Sequence, residues 1–147
     1  MNATRILPDL QCSLLCEDIR LEANGGIILV GVLDVIRTQQ LPVIAHKVCV
    51  FNRWTAGVGS FTETVRVIAP DQTTVLRSSE MKFALQDPAR AWTNLNVFPQ
   101  MQFTASGVYQ VEVLVDDVMR LRYPVPLVVV QPPPGAAPQG KPEGSGK

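Results

Sequence analysis

Apolar and polar residues alternate with a period of two along most of this chain, and the longest such stretch runs from Gly107 to Val130. Tyr109, Val111, Val113 and Val115 alternate with Gln110, Glu112 and Asp116, with Leu114 breaking the polar side. Beyond Val115-Asp116-Asp117-Val118 the apolar set resumes as Met119, Leu121, Tyr123, Val125, Leu127 and Val129, opposite Arg120, Arg122, Pro124 and Pro126. Alternation on both sides of a two-residue acidic turn predicts a β-hairpin.

Earlier segments follow the same rule. Leu10 to Glu22 places Cys12, Leu14 and Cys16 on one face of a strand, and Asn24-Gly25-Gly26 forms a turn because these residues tolerate positive φ. Ile27 to Thr38 is apolar on both faces at first and reads as a central strand, with Gly31 as a bulge or close-packing point. Val43 to Trp54 is the third strand, and Phe61, Val65, Val67 and Ala69 define one face of the fourth. After the Pro70-Asp71-Gln72 turn, a short strand is expected over Thr73 to Arg77. Another over Ser79 to Leu85 turns Met81, Phe83 and Leu85 inward. Asp87 to Ala91 fits a single helical turn with Asp87 as its N-cap. Trp92 to Phe98 is expected to turn Leu95 and Val97 inward.

No segment carries a sustained apolar stripe of period 3.6. Eight or nine short strands with closely spaced turns predict an all-β fold, an antiparallel β-sandwich of Greek-key type, immunoglobulin-like in the broad sense. Residues 1–9 form a lead-in and 10–130 the sandwich. Residues 131–147 are rich in proline and glycine and lack large apolar side chains, so they cannot offset the entropy of ordering and are expected to be a disordered tail.

Length and charge narrow the function. The 147 residues fit one domain able to bury its own core without disulfides or a structural metal. A formal net charge of zero and the absence of any basic block argue against nucleic-acid binding. The longest apolar run, Ile27 to Leu33, is too short to span a membrane. Asp9 interrupts the N-terminal segment before any continuous apolar core of a signal peptide. Three cysteines, an odd number, together with no export signal predict a reducing cytoplasm.

Candidate chemistry is sparse. Cys12, Cys16, His46 and Cys49 are the only zinc-like set, but Cys-x3-Cys on a strand separates the sulfurs by about 13 Å. Buried free thiols are therefore expected, and no metal or cofactor. The single histidine, His46, would have to serve any Cys–His or Ser–His–Asp site. It lies in a strand with Ile44, Val48 and Val50 on its own face, as a structural or edge histidine does. No G-x-S-x-G, H-E-x-x-H or phosphate-loop motif is present. Asp71, Asp87, Asp116 and Asp117 lie in turns, where aspartate is an ordinary turn-former. Asp34, inside an apolar run, needs solvent or a partner such as Arg37.

Leu15-Cys16-Glu17-Asp18, Gly26 to Val35, Pro42, the Arg53–Gly59 loop, the Pro70-Asp71 turn and Gly107-Val108-Tyr109 through Leu127 follow one pattern. It resembles a family of short, uncharacterised bacterial β-sandwich proteins over roughly Leu10 to Val130. Two turns depart from the usual Pro-Asp-Gly and Asp-Gly, having Gln72 and Asp117 instead; both changes concern turn geometry. The resemblance carries a fold and no catalytic residues.

The expectation is a non-enzymatic binding or assembly module. It would act through loops or a sheet edge, with a protein partner or a second copy, and without nucleic acid or membrane. The alternative is a small-ligand or carbohydrate-binding sandwich using Trp54, Trp92 and Asp71. A hydrolase-type enzyme using His46 comes third. An apolar patch on a flat sheet face would favour assembly, a concave pocket at a tryptophan the ligand reading, and a His46–Cys49 or His46–carboxylate contact the enzyme.

Overall fold

A computed structural model describes residues 5–131; the proposed tail over 131–147 lies almost wholly outside the described residues. Among the described residues nine strands form two packed sheets: β1 (Asp9–Leu21), β2 (Ile27–Val32), β3 (Ile36–Thr38), β4 (Val43–Thr55), β5 (Gly59–Ile68), β6 (Val75–Leu85), β7 (Ala91–Phe103), β8 (Gly107–Val115) and β9 (Val118–Val129). One sheet has the order β2-β1-β4-β7 and the other β3-β9-β8-β5-β6. Every pairing is antiparallel except β3 with β9. Among the described residues no helix is long and apolar enough to cross a membrane.

The core forms where the alternation of both sheets points inward. Val111, Val113 and Val115 of β8 and Val65 and Val67 of β5 face Val48, Val50 and Trp54 of β4 and Phe98, Met101 and Phe103 of β7. Burying each large side chain contributes on the order of 1.5–3 kcal/mol. The β8–β9 hairpin is paired from Gly107–Leu127 to Val115–Val118. Its turn residues Asp116 and Asp117 both have positive φ, 47° and 65°, the conformation a two-residue hairpin turn requires. Val125 and Leu127 reach the core, whereas Met119 and Leu121, expected inward, are 44% and 37% exposed beyond it.

Several local expectations are corrected. Ile27 to Thr38 is two strands in different sheets: β2 ends at Val32, and the chain crosses over through Leu33, Asp34 and Val35 to β3. Asp34 is exposed at that crossover, so solvent meets its carboxylate. Thr73 to Leu85 contains one strand, β6, because its ladder with β5 continues through Arg77–Val67 and Ser78–Arg66. Asp87 to Ala91 is a turn: Asp87 Oδ1 accepts from Ala89 N and its carbonyl from Arg90 N, but β7 begins before a helix can propagate.

The parity of β7 is the reverse of that expected. Asn94, Asn96 and Phe98 face the core, while Leu95 is half-buried and Val97 is 52% exposed on the outer face. Asn94 lies opposite Asn52 and Asn96 opposite Val50, so three asparagine side chains line one end of the interior.

Candidate functional site

The four-stranded sheet does not stay closed along its length. β1 pairs with β4 from Asp9–Thr55 to Cys16–Cys49, and there the ladder stops. Beyond that point Asp18 to Leu21 pair only with β2, and Val43 to Val48 pair only with β7. The sheet therefore forks, with the two cysteines at its apex.

Local backbone features explain the divergence. Gly31 has φ +68°, the left-handed conformation that favours glycine, and it bends β2 beside the Glu17 side chain, whose carboxyl carbon lies 2.8 Å from where a Cβ would stand. Leu33 N donates to Leu15 O at 2.8 Å, which turns the chain from β2 toward the second sheet beside the last β1–β4 pairs. On the other arm the inward phase of β4 slips: Val48 and Val50 face the core, but so do Val43 and Ala45, an odd number of residues earlier. Gln100, with φ +51°, absorbs the matching irregularity on β7.

The fork opens a cleft of about 660 Å³. Leu33, Ile36, Ala45, Val48 and Phe103 supply apolar lining, and Glu17, Asp18, Arg20, Arg37, His46 and Lys47 supply polar and charged lining. Its size is within the range of small-molecule and peptide-side-chain sites. Lys47 Nζ on one arm contacts Asp18 Oδ1 on the other at 2.7 Å, so a single ion pair spans the opening. Asp18 also accepts from Ile19 N at 2.8 Å, and Arg20 Nε lies 3.8 Å from its other oxygen. The Lys47 hydrogen bond, followed by the Ile19 amide, holds the Asp18 carboxyl below its ordinary range. The same contact with Asp18 raises Lys47. Arg37 forms no ion pair with any described residue.

His46 is part of this cleft, but not on the face expected for it. The phase slip leaves Ile44 and His46 exposed. Cys49, the thiol nearest in sequence, is buried at the apex, and its Sγ points toward the Glu17 carbonyl at 4.0 Å. Burial raises the Cys49 thiol and, with the neighbouring Cys49, pushes Cys16 up to about 11. That is the opposite of an activated nucleophile. Among the described residues no group of three or more His, Cys, Asp or Glu side chains is placed to hold a metal ion.

The three residues selected as ligand contacts do not converge. Trp54 is fully buried: its Nε1 donates to Glu63 Oε1 at 2.6 Å and its ring stacks on Phe83 at 5.7 Å between centroids. A ligand cannot reach it, which corrects that expectation. Trp92 stays 44% exposed and lines a shallow depression with Ser60, Thr62, Lys82 and Ala84, while its Nε1 donates to Asn94 Oδ1 at 2.8 Å. Asp71 lies in the turn at the far end of β5, roughly 25 Å of strand away. Its carboxylate accepts from Thr73 N, Thr74 N and the Thr74 hydroxyl.

The interior hides a polar cluster beside Trp54. Glu63 of β5 is fully buried, accepting from Trp54 and from Asn96 Nδ2 at 2.9 Å, and Asn96 Oδ1 accepts from Ser79 Oγ at 2.9 Å. Glu63 falls in phase with Phe61, Val65 and Val67, and Asn94 and Asn96 in phase with Phe98, so the alternation carried a signal for it. The fork had only Gly31 as its local sign.

Comparison with known proteins places these observations in a family. A family of unknown function (DUF6941) matches residues 11–128, and the chain belongs to it. Among curated proteins nothing matches the chain. Among solved structures, it is similar to the CARDB domain of a Pyrococcus furiosus protein, a domain crystallised in complex with di-metal ions. The two share 17% identity at a TM-score of 0.42, over 87% of this chain and 95% of that one.

Proposed function

We propose that this DUF6941 chain is a non-enzymatic binding module that receives an extended segment of a protein partner in the fork of its four-stranded sheet, in the cytoplasm. The observation that carries this reading is the end of the β1–β4 ladder at Cys16–Cys49, which leaves two strand margins facing each other across an apolar-lined cleft. Strand margins without a ladder partner offer main-chain donors and acceptors to an added strand, and an adjoining pocket selects its side chains. β2 extends the same surface: Ile27 to Val32 form a sheet edge with no charged residue, and Ile28 and Val32 are 43% and 56% exposed.

The test is peptide selection followed by mapping. Random ten-residue peptides are displayed against the full chain, and the bound form is examined by amide hydrogen exchange. Protection concentrated in Glu17 to Leu21 and Val43 to Val48 is the expected result. Ile44→Pro, on the exposed face of β4, should abolish that binding, whereas Val128→Pro in the other sheet should not. Protection centred on Trp92 and Lys82 instead would replace this reading with the small-ligand one.

A further inference from the structure

Resting on that reading of the fork, we infer that the segment it receives carries an acidic side chain, Asp or Glu, which replaces Asp18 as the partner of Lys47. The argument is geometric. Asp18 belongs to the β1 arm and Lys47 to the β4 arm, and their contact at 2.7 Å closes the gap between them. A strand seated between two others holds them about 9–10 Å apart, twice the ordinary interstrand spacing. The central residue of the inserted strand then lies between Asp18 and Lys47, one interstrand spacing of about 5 Å from each strand, so its side chain is nearer to Lys47 than Asp18 is.

The two charges are left in unequal positions. Asp18 keeps the Ile19 amide at 2.8 Å and Arg20 at 3.8 Å, both on its own strand. Lys47 has no other anion within ion-pair distance among the described residues. An apolar or basic residue at that position gives the ammonium group no nearer partner, whereas a carboxylate pairs with it across a single interstrand spacing. Arg37 and His46 line the same cleft and add donors for an acidic group. The Asp18–Lys47 pair thus marks the register position at which an acidic residue of the strand competes with Asp18 for Lys47.

The experiment uses three capped peptides, acetyl-Val-Thr-Val-X-Val-Thr-Val-amide with X as Glu, Gln or Lys, titrated into the full chain by calorimetry and followed by amide chemical shifts. The Glu peptide is expected to bind about tenfold tighter than the Gln peptide, with the Lys peptide weaker still. Lys47→Met should reduce the Glu-over-Gln preference to within about twofold while leaving the melting temperature in place. Asp18→Asn, which removes the competing carboxylate, should tighten the Glu peptide. Equal binding of the Glu and Gln peptides, with shifts at the fork, overturns the acidic requirement and leaves the strand-receiving reading standing. No shift at the fork with any of the three overturns both.

Discussion

Asn96 of β7 and Glu63 of β5 reach toward each other from opposite sheets, and Asn96 Nδ2 donates to Glu63 Oε2 at 2.9 Å inside the core. Trp54 occupies the other carboxyl oxygen at 2.6 Å, so three strands in two sheets are tied through one buried side chain. Removing a donor leaves an oxygen unsatisfied away from water, which costs about 1–3 kcal/mol. Asn96→Ala should therefore lower the unfolding free energy by about 2–3 kcal/mol in a urea titration. Ser79→Ala, which touches only the far end of the chain of hydrogen bonds, should cost about 1 kcal/mol. Equal effects for the two would mean that the Glu63 contact is not the organising one.

The paired aspartates of the β8–β9 turn have the same backbone need and different side-chain roles. Both adopt positive φ, which strains a residue with a Cβ. Asp117→Gly removes that strain without loss of a side-chain hydrogen bond and should raise stability by about 1 kcal/mol. Asp116 Oδ1 accepts from Thr62 N at 2.9 Å, and its other oxygen pairs with Arg5, whose guanidinium lies 4.7 Å from the Phe61 ring centre. Asp116→Gly should therefore destabilise despite the same relief. Thermal melts of the two variants, moving in opposite directions, check both statements.

Asp71 makes a pH-dependent contribution whose sign is set by its bonds. The Thr74 hydroxyl, then the Thr74 and Thr73 amides, hold its carboxyl down from the ordinary 3.8 to about 2. A carboxyl with a depressed folded-state value stabilises above its unfolded value and loses that contribution as pH falls through the folded one. Wild type should melt above Asp71→Ala at pH 7, with the gap narrowing below about pH 4 and closing near pH 2. A constant gap across that range would contradict the assignment.

The thiols differ in reach. Cys12 is half-buried, whereas Cys16 and Cys49 are enclosed at the fork apex and raised in pKa by that burial. The thiolate is the reacting species, so a chromogenic disulfide reagent at pH 8 should titrate Cys12 first and the other two only as the chain opens. Denaturant should release all three at once, and Cys12→Ser should remove the early phase. A rapid phase that survives Cys12→Ser would show the apex to be open.

How far the chain can be read without its fold depends on the range of the interaction involved. The Tyr109 to Val115 alternation and the positive-φ turn at Asp116-Asp117 were legible because side-chain period and turn chemistry act over a few residues. Asn94 and Asn96 read as outward because their neighbours Leu95 and Val97 are the more apolar pair; inside, Asn96 is met by Ser79 and Glu63 of the other sheet, and Asn94 Oδ1 by Trp92 of its own strand. His46 was placed on the wrong face because the phase slip of β4 is matched at Gln100, more than fifty residues away in sequence.

The sequence by itself determined an all-β sandwich, the inward faces of β5 and β8, the Asp116-Asp117 turn and at least one unpaired thiol, since each follows from local periodicity, local sterics or a count. Tertiary structure alone decided which strands are neighbours, that β2 and β3 part company after Val32, and that the β1–β4 ladder ends at Cys16–Cys49. A ladder's end is a property of two strands at once, set by how each is bent by its other neighbours. No pattern within Glu17 to Leu21 or Val43 to Val48 could announce that these segments would face each other across a cleft.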